Sequence, residues 1–241
     1  MLPIRFSLSA TTNNIYSLFL AKDYLLEDDT LLLESDLIYD EKIIRGMIDD
    51  KRPNLAAVDK FKLWMDGTVT TLDDDDNIID FFPKKSFKYE HIDSYYKTVN
   101  IYKFSKKFSK TVYVPFLDAY SSALGRNEYY EQVLRVIALL DKKGVQGYRL
   151  SGEKWYEIDD IQDKDNAEVI FAPTKKEKLN LIQKRYGGYW RYPDLKDFCY
   201  LVNPYFPSEV MKNEFKSFFN TLLIEYPSGL NVQNLLAGKM F

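Results

Sequence analysis

The stretch that most constrains the fold is a short apolar run, Thr30 to Leu33, which ends in Glu34-Ser35-Asp36. A continuous hydrophobic run with polar residues where it leaves the core is typical of a fully buried strand of a parallel sheet. In open α/β sheets, ligands bind in the crevice beyond the carboxyl ends of the strands. Asp36 is therefore a candidate metal-binding or catalytic carboxylate. The alternative is that Glu34, Ser35 and Asp36 cap the helix that follows, and both interpretations stay open on this stretch alone.

Helical and strand patterns alternate around this run. Apolar residues recur at helical spacing over 14–25 and 41–50, and Leu55 to Val58 has the composition of a short buried strand. This β-α-β-α-β order predicts an α/β fold with a parallel sheet.

The middle of the chain predicts a hairpin, two helices and two further strands. The predicted segments are a hairpin over 67–72 and 78–82, a strand over 98–103, a helix over 105–124 interrupted at Pro115, a strong amphipathic helix over 127–142 and a strand over 145–150. The acidic turn of the hairpin matches the first ligand positions of a calcium-binding loop, but Ile78 stands where that loop needs glycine. A solvated turn is therefore the preferred interpretation.

Composition excludes several classes of function. The 241 residues suit one large domain, or one domain and part of another, and a net charge of −3 argues against non-specific nucleic-acid binding. The single cysteine, Cys199, excludes an internal disulfide, and the single histidine, His91, excludes a multi-histidine metal site. Neither a signal peptide nor an apolar run of membrane-spanning length is evident, so we expect no membrane insertion and a cytoplasmic protein. An active site here must therefore use carboxylates and lysines, and Mg²⁺ is a candidate cofactor.

Three motifs carry a family resemblance: Thr12-Asn-Asn-Ile-Tyr-Ser-Leu18, Leu33-Glu-Ser-Asp36 and Trp155-Tyr-Glu-Ile-Asp-Asp-Ile-Gln-Asp163. Their order and spacing resemble the sugar-nucleotidyltransferase-like cytidylyltransferases, in the branch that acts on phosphocholine and 2-aminoethylphosphonate. The resemblance covers about 12–172. It implies a Rossmann-like mixed sheet with flanking helices, and transfer of CMP from CTP to the acceptor with release of pyrophosphate.

The resemblance also implies roles for particular residues. Asp36 and Asp159 would bind Mg²⁺, with Glu34 and Asp160 as supporting acids or helix caps. The acceptor pocket would be lined by the region around Lys60, Trp64, Tyr129, Tyr130 and Glu131. An aromatic and acidic pocket suits a cationic amine through cation–π and charge contacts. For the two tyrosines, packing of a helix against the core is an equally weighted alternative.

Composition shifts again from Pro173. We predict a nucleotidyltransferase domain over 1–172, a charged linker over 173–178 and a second, incomplete domain over 179–241 that contains one helix at 208–223. The motifs Arg185-Tyr-Gly-Gly-Tyr-Trp-Arg-Tyr192, Asn203-Pro-Tyr-Phe-Pro207 and Glu225-Tyr-Pro-Ser-Gly229 resemble the opening of a fold-type I PLP-dependent aminotransferase domain. PLP is not expected to bind, because the PLP lysine of such a domain lies beyond these motifs.

One departure from the family affects the predicted activity. The family's opening strand and its Gly-x-Gly-x-Arg loop, whose backbone amides cradle the triphosphate, have no counterpart in this sequence. We therefore expect a domain truncated at its start and impaired in activity, and the alternative is a non-catalytic fragment or interaction module. The predicted ligands are CTP and a phosphorylated amino-alcohol or aminoalkylphosphonate. A homodimer is an open alternative to a monomer.

Overall fold

The structure, a computed structural model, describes residues 12–140, 144–184, 205–225 and 229–240. The chain divides into two compact units, Met1–Arg191 and Tyr192–Phe241. In the described residues, the strands and the helices are as follows. The strands are β1 (Thr30–Leu33), β2 (Leu37–Tyr39), β3 (Leu55–Lys60), β4 (Val69–Leu72), β5 (Ile78–Phe82), β6 (Tyr96–Phe104), β7 (Gln146–Arg149) and β8 (Trp155–Glu157). The helices are α1 (Asn14–Leu20), α2 (Tyr24–Glu27), α3 (Glu41–Asp49), α4 (Lys106–Phe108), α5 (Val114–Leu124), α6 (Glu131–Leu140), α7 (Ile161–Ile170), α8 (Lys175–Gln183), α9 (Glu209–Ile224) and α10 (Leu230–Met240).

The main sheet is mixed and has the order β5-β4-β6-β3-β7, with β1 also paired to β6. Only the pairing of β3 with β7 is parallel among these strands, and the other pairs are antiparallel. A separate two-stranded sheet joins β2 to β8 in antiparallel register. The long strand β6 therefore lies at the centre. Strand β3 pairs with one edge of β6, and β4 and β1 pair with successive parts of its other edge.

Both faces of the main sheet are covered by helices. Successive side chains of a strand point to opposite faces, so each strand contributes to both cores. On one face, Ala56 and Tyr102 pack against helices α1, α5 and α6. On the other face, Leu55 and Ile101 pack against α3, whose Ile43 and Met47 are fully buried. This layered arrangement explains why the strands contain such continuous hydrophobic runs.

The prediction for the apolar run at Thr30–Leu33 was wrong in two respects. Strand β1 pairs with β6 in antiparallel register, with Leu33 opposite Ile101, and its four residues are only partly buried. The parallel sheet predicted from the β-α alternation is likewise wrong, whereas the mixed sheet that the family resemblance implies is confirmed. Short apolar runs do not distinguish buried parallel strands from partly covered antiparallel ones, because the pairing partner lies far away in sequence. The hairpin of β4 and β5 and the strands β3, β6 and β7 are confirmed.

Two helical predictions need correction. Pro115 does not end the helix predicted over 105–124, because the chain stays helical from α4 to the end of α5. A turn of π-helix at Ser109–Tyr113 joins α4 to α5.

Most of the predicted charged linker at 173–178 belongs to α8, which is capped by Thr174 and buries Ile182. The boundary between domains stays a prediction.

In the second unit, α9 confirms the helix predicted at 208–223, and the Ser208 hydroxyl caps it by accepting from the Met211 amide. Most of the motifs predicted to begin an aminotransferase domain lie outside the described residues. That domain assignment therefore stays a prediction.

Gly147 in β7 offers a test of how closely β7 packs against the side chains of Leu72 in β4 and Val58 in β3. A Cβ at this position would lie 2.9 Å from Leu72 Cδ1 and 3.2 Å from Val58 Cγ2. We expect Gly147→Ala to lower the free energy of unfolding by about 1–3 kcal/mol through overpacking, as measured by urea denaturation. In a Leu72→Ala background the same change should cost much less. An equal cost in both backgrounds would show that the contact with Leu72 is not the cause.

Candidate functional site

A cleft of about 1090 Å³ opens in the first unit beside the ends of β1, β6 and β8. Its wall carries eight carboxylates and two lysines, Lys84 and Lys97. The acidic residues are Glu34, Asp36, Asp66, Glu131, Glu157, Asp159, Asp160 and Asp163. This excess of negative charge in a concave surface favours a cationic ligand.

Three of these acids form a tight cluster. Glu34, Asp36 and Glu157 each offer one carboxylate oxygen, and the three oxygens lie within 4.8 Å of one another. The small sheet of β2 and β8 brings them together, because Leu37 pairs with Glu157 and the Ile158 amide donates to the Asp36 carbonyl at 2.9 Å. Three oxygen donors at this spacing are suited to a hard divalent cation.

Asn100 connects two acids of the cluster from the centre of the sheet. Its side-chain amide donates to Glu34 Oε2 at 2.9 Å and to Glu157 Oε1 at 3.1 Å. Asn100 has a φ of 58°, and the register of β3 with β6 shifts at this level, between Ala56 and Val58. Such an irregularity re-aims a side chain, and asparagine tolerates the left-handed conformation better than most residues do.

Lys97 provides a buried positive charge behind the carboxylates. The residue is 2% exposed, and its ammonium lies 3.4 Å from Glu157 Oε2 and donates to the Thr98 carbonyl at 2.9 Å. Gly67 allows this placement, because a Cβ there would lie 3.2 Å from the Lys97 nitrogen. Burial raises the pKa of the nearby carboxyl groups of Glu34 and Glu131, and the charge of Lys97 opposes this rise.

Burial and mutual repulsion raise the pKa values of several acids in the cleft. Desolvation is the largest cause for Glu34 and for Glu157, with the Tyr130 hydroxyl and Lys97 respectively acting in the opposite direction. The pKa of Asp159 is raised first by desolvation and then by the charges of Asp163 and Asp36. A cation placed among these groups would relieve the repulsion.

Most of the predicted site residues meet in this cleft. Asp36, Asp159, Trp64, Tyr129 and Glu131 all line it. Lys60 does not line it. Its ammonium donates to the Asp93 carbonyl and lies 4.5 Å from the centroid of the Tyr96 ring. Lys60 is thus not among the residues that line this cleft, and its role in acceptor binding stays a prediction.

An aromatic wall accompanies the acids. Trp64 stacks on Tyr156 with ring centroids 5.2 Å apart, and it also contacts Trp155 at 6.2 Å. The Tyr156 hydroxyl donates to Asp163 Oδ1 at 3.2 Å. Tyr130 is buried, as the packing alternative expected, whereas Tyr129 is exposed.

Sequence reasoning missed Glu157, Lys97 and Asn100. Glu157 lies inside the Trp155–Asp163 motif, so its alternation with the buried Tyr156 was an available signal. Lys97 and Asn100 lie in a strand that reads as ordinary core, and only the pairing of β6 with its neighbours shows that they face the acids. The predicted roles of Asp36 and Asp159 as metal ligands stay predictions, and Asp159 lies outside the three-carboxylate cluster.

Asn100 allows a prediction that separates backbone strain from hydrogen bonding. Asn100→Ala and Asn100→Gly both remove the amide between Glu34 and Glu157. Alanine should be less stable than glycine by about 1–2 kcal/mol, because only alanine is strained at positive φ. Thermal or urea unfolding of both variants would measure this. Equal stabilities would contradict the left-handed conformation at this position.

The CTP:phosphocholine cytidylyltransferase of Streptococcus pneumoniae matches with a TM-score of 0.55 and 18% identity, over 68% of this chain and 65% of that one. The fold is therefore the Rossmann-like α/β fold of the nucleotidyltransferases, which confirms the predicted fold class. An inositol-1-phosphate CTP transferase of T. maritima gives a TM-score of 0.48 at 18% identity, over 73% of this chain and 64% of that one.

Among curated proteins, the CMP-5'-(3-aminopropyl)phosphonate synthase of Streptomyces rubellomurinus is 28% identical over 226 residues. The match includes 91% of this chain, and the chain spans about a third of the relative's length, 35%. No protein-family profile matches the chain. None of the helices in the described ranges has the length and apolar character needed to cross a membrane.

Proposed function

We propose that this chain forms part of a cytidylyltransferase that transfers CMP from CTP to a phosphorylated amino-alcohol or an aminoalkylphosphonate. The observation that carries the proposal is the cluster of Glu34, Asp36 and Glu157 in a strongly acidic cleft of the nucleotidyltransferase fold. The similarity to a synthase whose product is a CMP-linked aminopropylphosphonate supports the same class of reaction.

The donor set fits Mg²⁺. All three groups are carboxylates, the ligands that this hard cation prefers, and their oxygens are close enough to share one ion. Asn100 and Lys97 hold Glu157 from behind, so its orientation is set before any ligand arrives. When bound, Mg²⁺ would neutralise charge on the triphosphate during phosphoryl transfer.

The charge of the cleft also argues for a cation in the reaction. Eight carboxylates against two lysines would repel a free triphosphate, so nucleotide binding requires an added positive charge. In the proposed reaction, a phosphate or phosphonate oxygen of the acceptor forms a bond to the α-phosphorus of CTP. The bond from that phosphorus to the bridging oxygen breaks, and pyrophosphate leaves with the electron pair. The chain's residues supply position and electrostatic stabilisation.

The test is calorimetric titration of CTP into the full chain, with Mg²⁺ and with EDTA. We expect binding only with Mg²⁺, and we expect Asp36→Ala to weaken it by at least about 100-fold, because one of three ligands is lost. Asp74→Ala is the matched control, since this acid lies exposed in the turn between β4 and β5. It should bind like the unaltered chain.

Turnover assays with phosphocholine and 2-aminoethylphosphonate complete the test. Release of pyrophosphate that depends on Asp36 would support the proposal. Absence of Mg²⁺-dependent CTP binding in the unaltered chain would overturn it and favour the non-catalytic module.

A further inference from the structure

The first of the three sequence motifs, over 12–18, supplies none of the three clustered carboxylates, yet one of its residues reaches them. Asn14 is the first residue of α1 and lies in the wall of the cleft. Its side-chain nitrogen donates to Glu34 Oε1 at 3.1 Å, and its side-chain oxygen accepts from the Tyr130 backbone amide at 3.0 Å. Asn14 therefore joins the carboxylate cluster to the segment that precedes α6.

The contact with Tyr130 determines which end of the Asn14 side chain faces the cluster. A backbone N–H group can only donate, so the oxygen of Asn14 must face it, and the NH₂ group is left to face Glu34. The orientation of the amide is therefore set by the protein and does not depend on a bound ligand. Aspartate could accept from the backbone amide but could not donate to Glu34.

Two backbone hydrogen bonds hold the start of α1 against the same segment. The Asn13 amide donates to the Arg126 carbonyl at 2.9 Å, and the Ile15 amide donates to the Glu128 carbonyl at 3.2 Å. The Ile15 side chain is also fully buried, which anchors this turn in the core. The fold therefore fixes the position of Asn14 before any ligand arrives.

Glu34 is held at both of its carboxylate oxygens. Asn14 donates to Oε1, and Asn100, in the central strand β6, donates to Oε2 at 2.9 Å. The two donors come from separate elements, so together they fix the plane of the carboxylate. Each carboxylate oxygen accepts at two positions, so each oxygen keeps one position for a cation. Outer partners of this kind orient metal ligands, and their loss typically lowers metal affinity by about 10–100-fold.

We propose that Asn14 is a positioning residue that orients Glu34 for a divalent cation, and that this is the role of the first motif. The inference rests on the proposed function, because the cation is the one that would accompany CTP. Without the Asn14 amide, Glu34 Oε1 loses this donor and the carboxylate can rotate within the cleft. A cation must then order the side chain as it binds, which lowers its affinity.

The test measures binding of Mn²⁺ to the full chain by electron paramagnetic resonance, without nucleotide. Mn²⁺ takes the same oxygen ligands as Mg²⁺. We expect Asn14→Ala to weaken Mn²⁺ binding by about tenfold or more. Asn54→Ala is the matched control, because the Asn54 side chain also bridges two segments, from the Gly144 carbonyl to the Ser105 amide, but does not line the cleft. It should destabilise the fold and bind Mn²⁺ like the unaltered chain.

A double-mutant cycle separates positioning from general damage to the fold. In a Glu34→Ala background, Asn14→Ala should change the Mn²⁺ affinity by less than about twofold, because Asn14 acts through Glu34. Asn14→Ser lacks the amide but keeps a residue type that is favoured at the start of a helix. It should show the same loss of Mn²⁺ affinity as the alanine variant.

The outcomes separate this inference from the proposed function. Equal Mn²⁺ binding by Asn14→Ala and the unaltered chain would overturn the inference while Mg²⁺-dependent CTP binding stands. So would an equal loss with and without Glu34, an equal loss in Asn54→Ala, or absence of Mn²⁺ binding by the unaltered chain. A loss of Mn²⁺ affinity that depends on Glu34, in a chain that does not bind CTP, would support the inference and overturn the proposed function.

Discussion

Lys97→Met is expected to lower the free energy of unfolding at pH 7 by about 3–5 kcal/mol. The residue is almost fully buried, and its ammonium provides positive charge beside Glu157. Methionine fills a similar volume but leaves Glu157 as a buried charge without its cation, next to Glu34 and Asp36. The cost arises from the uncompensated carboxylates and not from lost packing.

Urea unfolding of the variant and of Lys84→Met would measure this effect. Lys84 is the other lysine of the cleft wall, but its side chain is exposed and pairs with Asp66 at the surface, so its loss should change the stability little. Mg²⁺ should stabilise Lys97→Met more than the unaltered chain, since an added cation would replace the missing charge. Losses of similar size in the two variants would contradict a special role for Lys97.

Glu131→Gln is expected to stabilise the protein above pH 7 by up to about 3 kcal/mol, because its pKa is raised from 4.5 to about 7. Between these two values the folded state retains a proton that the unfolded state has released. The stability of the unaltered protein therefore falls as pH rises from about 4.5 to 7, and then this contribution levels off. Glutamine does not titrate, so the difference between variant and unaltered protein should open across that window.

Denaturant unfolding at several pH values, with EDTA present, would reveal this difference. Glu128→Gln is the matched control and should follow the pH profile of the unaltered protein. A constant difference across the window would show that Glu131 is not desolvated in the folded state.

Much of the fold could be predicted from local patterns. The amphipathic helix α6 and the hairpin of β4 and β5 follow from spacing and turn composition, which act over a few residues. The site could be predicted in part. The acidic ends of two motifs pointed to Asp36 and Asp159, and both line the cleft.

Pairing and charge placement could not be predicted in this way. The antiparallel partner of β1 is β6, about seventy residues further along the chain, and no local pattern specifies it. Lys60 lies over the Tyr96 ring, whereas Lys97 is buried beside Glu157. Lys97 lies in β6, which borders the cleft, whereas Lys60 is the last residue of β3 and does not line it.

The sequence by itself determined the fold class, the positions of most helices and strands, and the acidic character of the candidate site. Periodicity and residue chemistry carry this information locally. Only the tertiary structure decided that Glu34, Asp36 and Glu157 share one cluster and that Asn100 and Lys97 support it. It also decided that Glu131 is almost fully buried. The physical reason is that burial, desolvation and charge repulsion depend on distances between residues far apart in the chain.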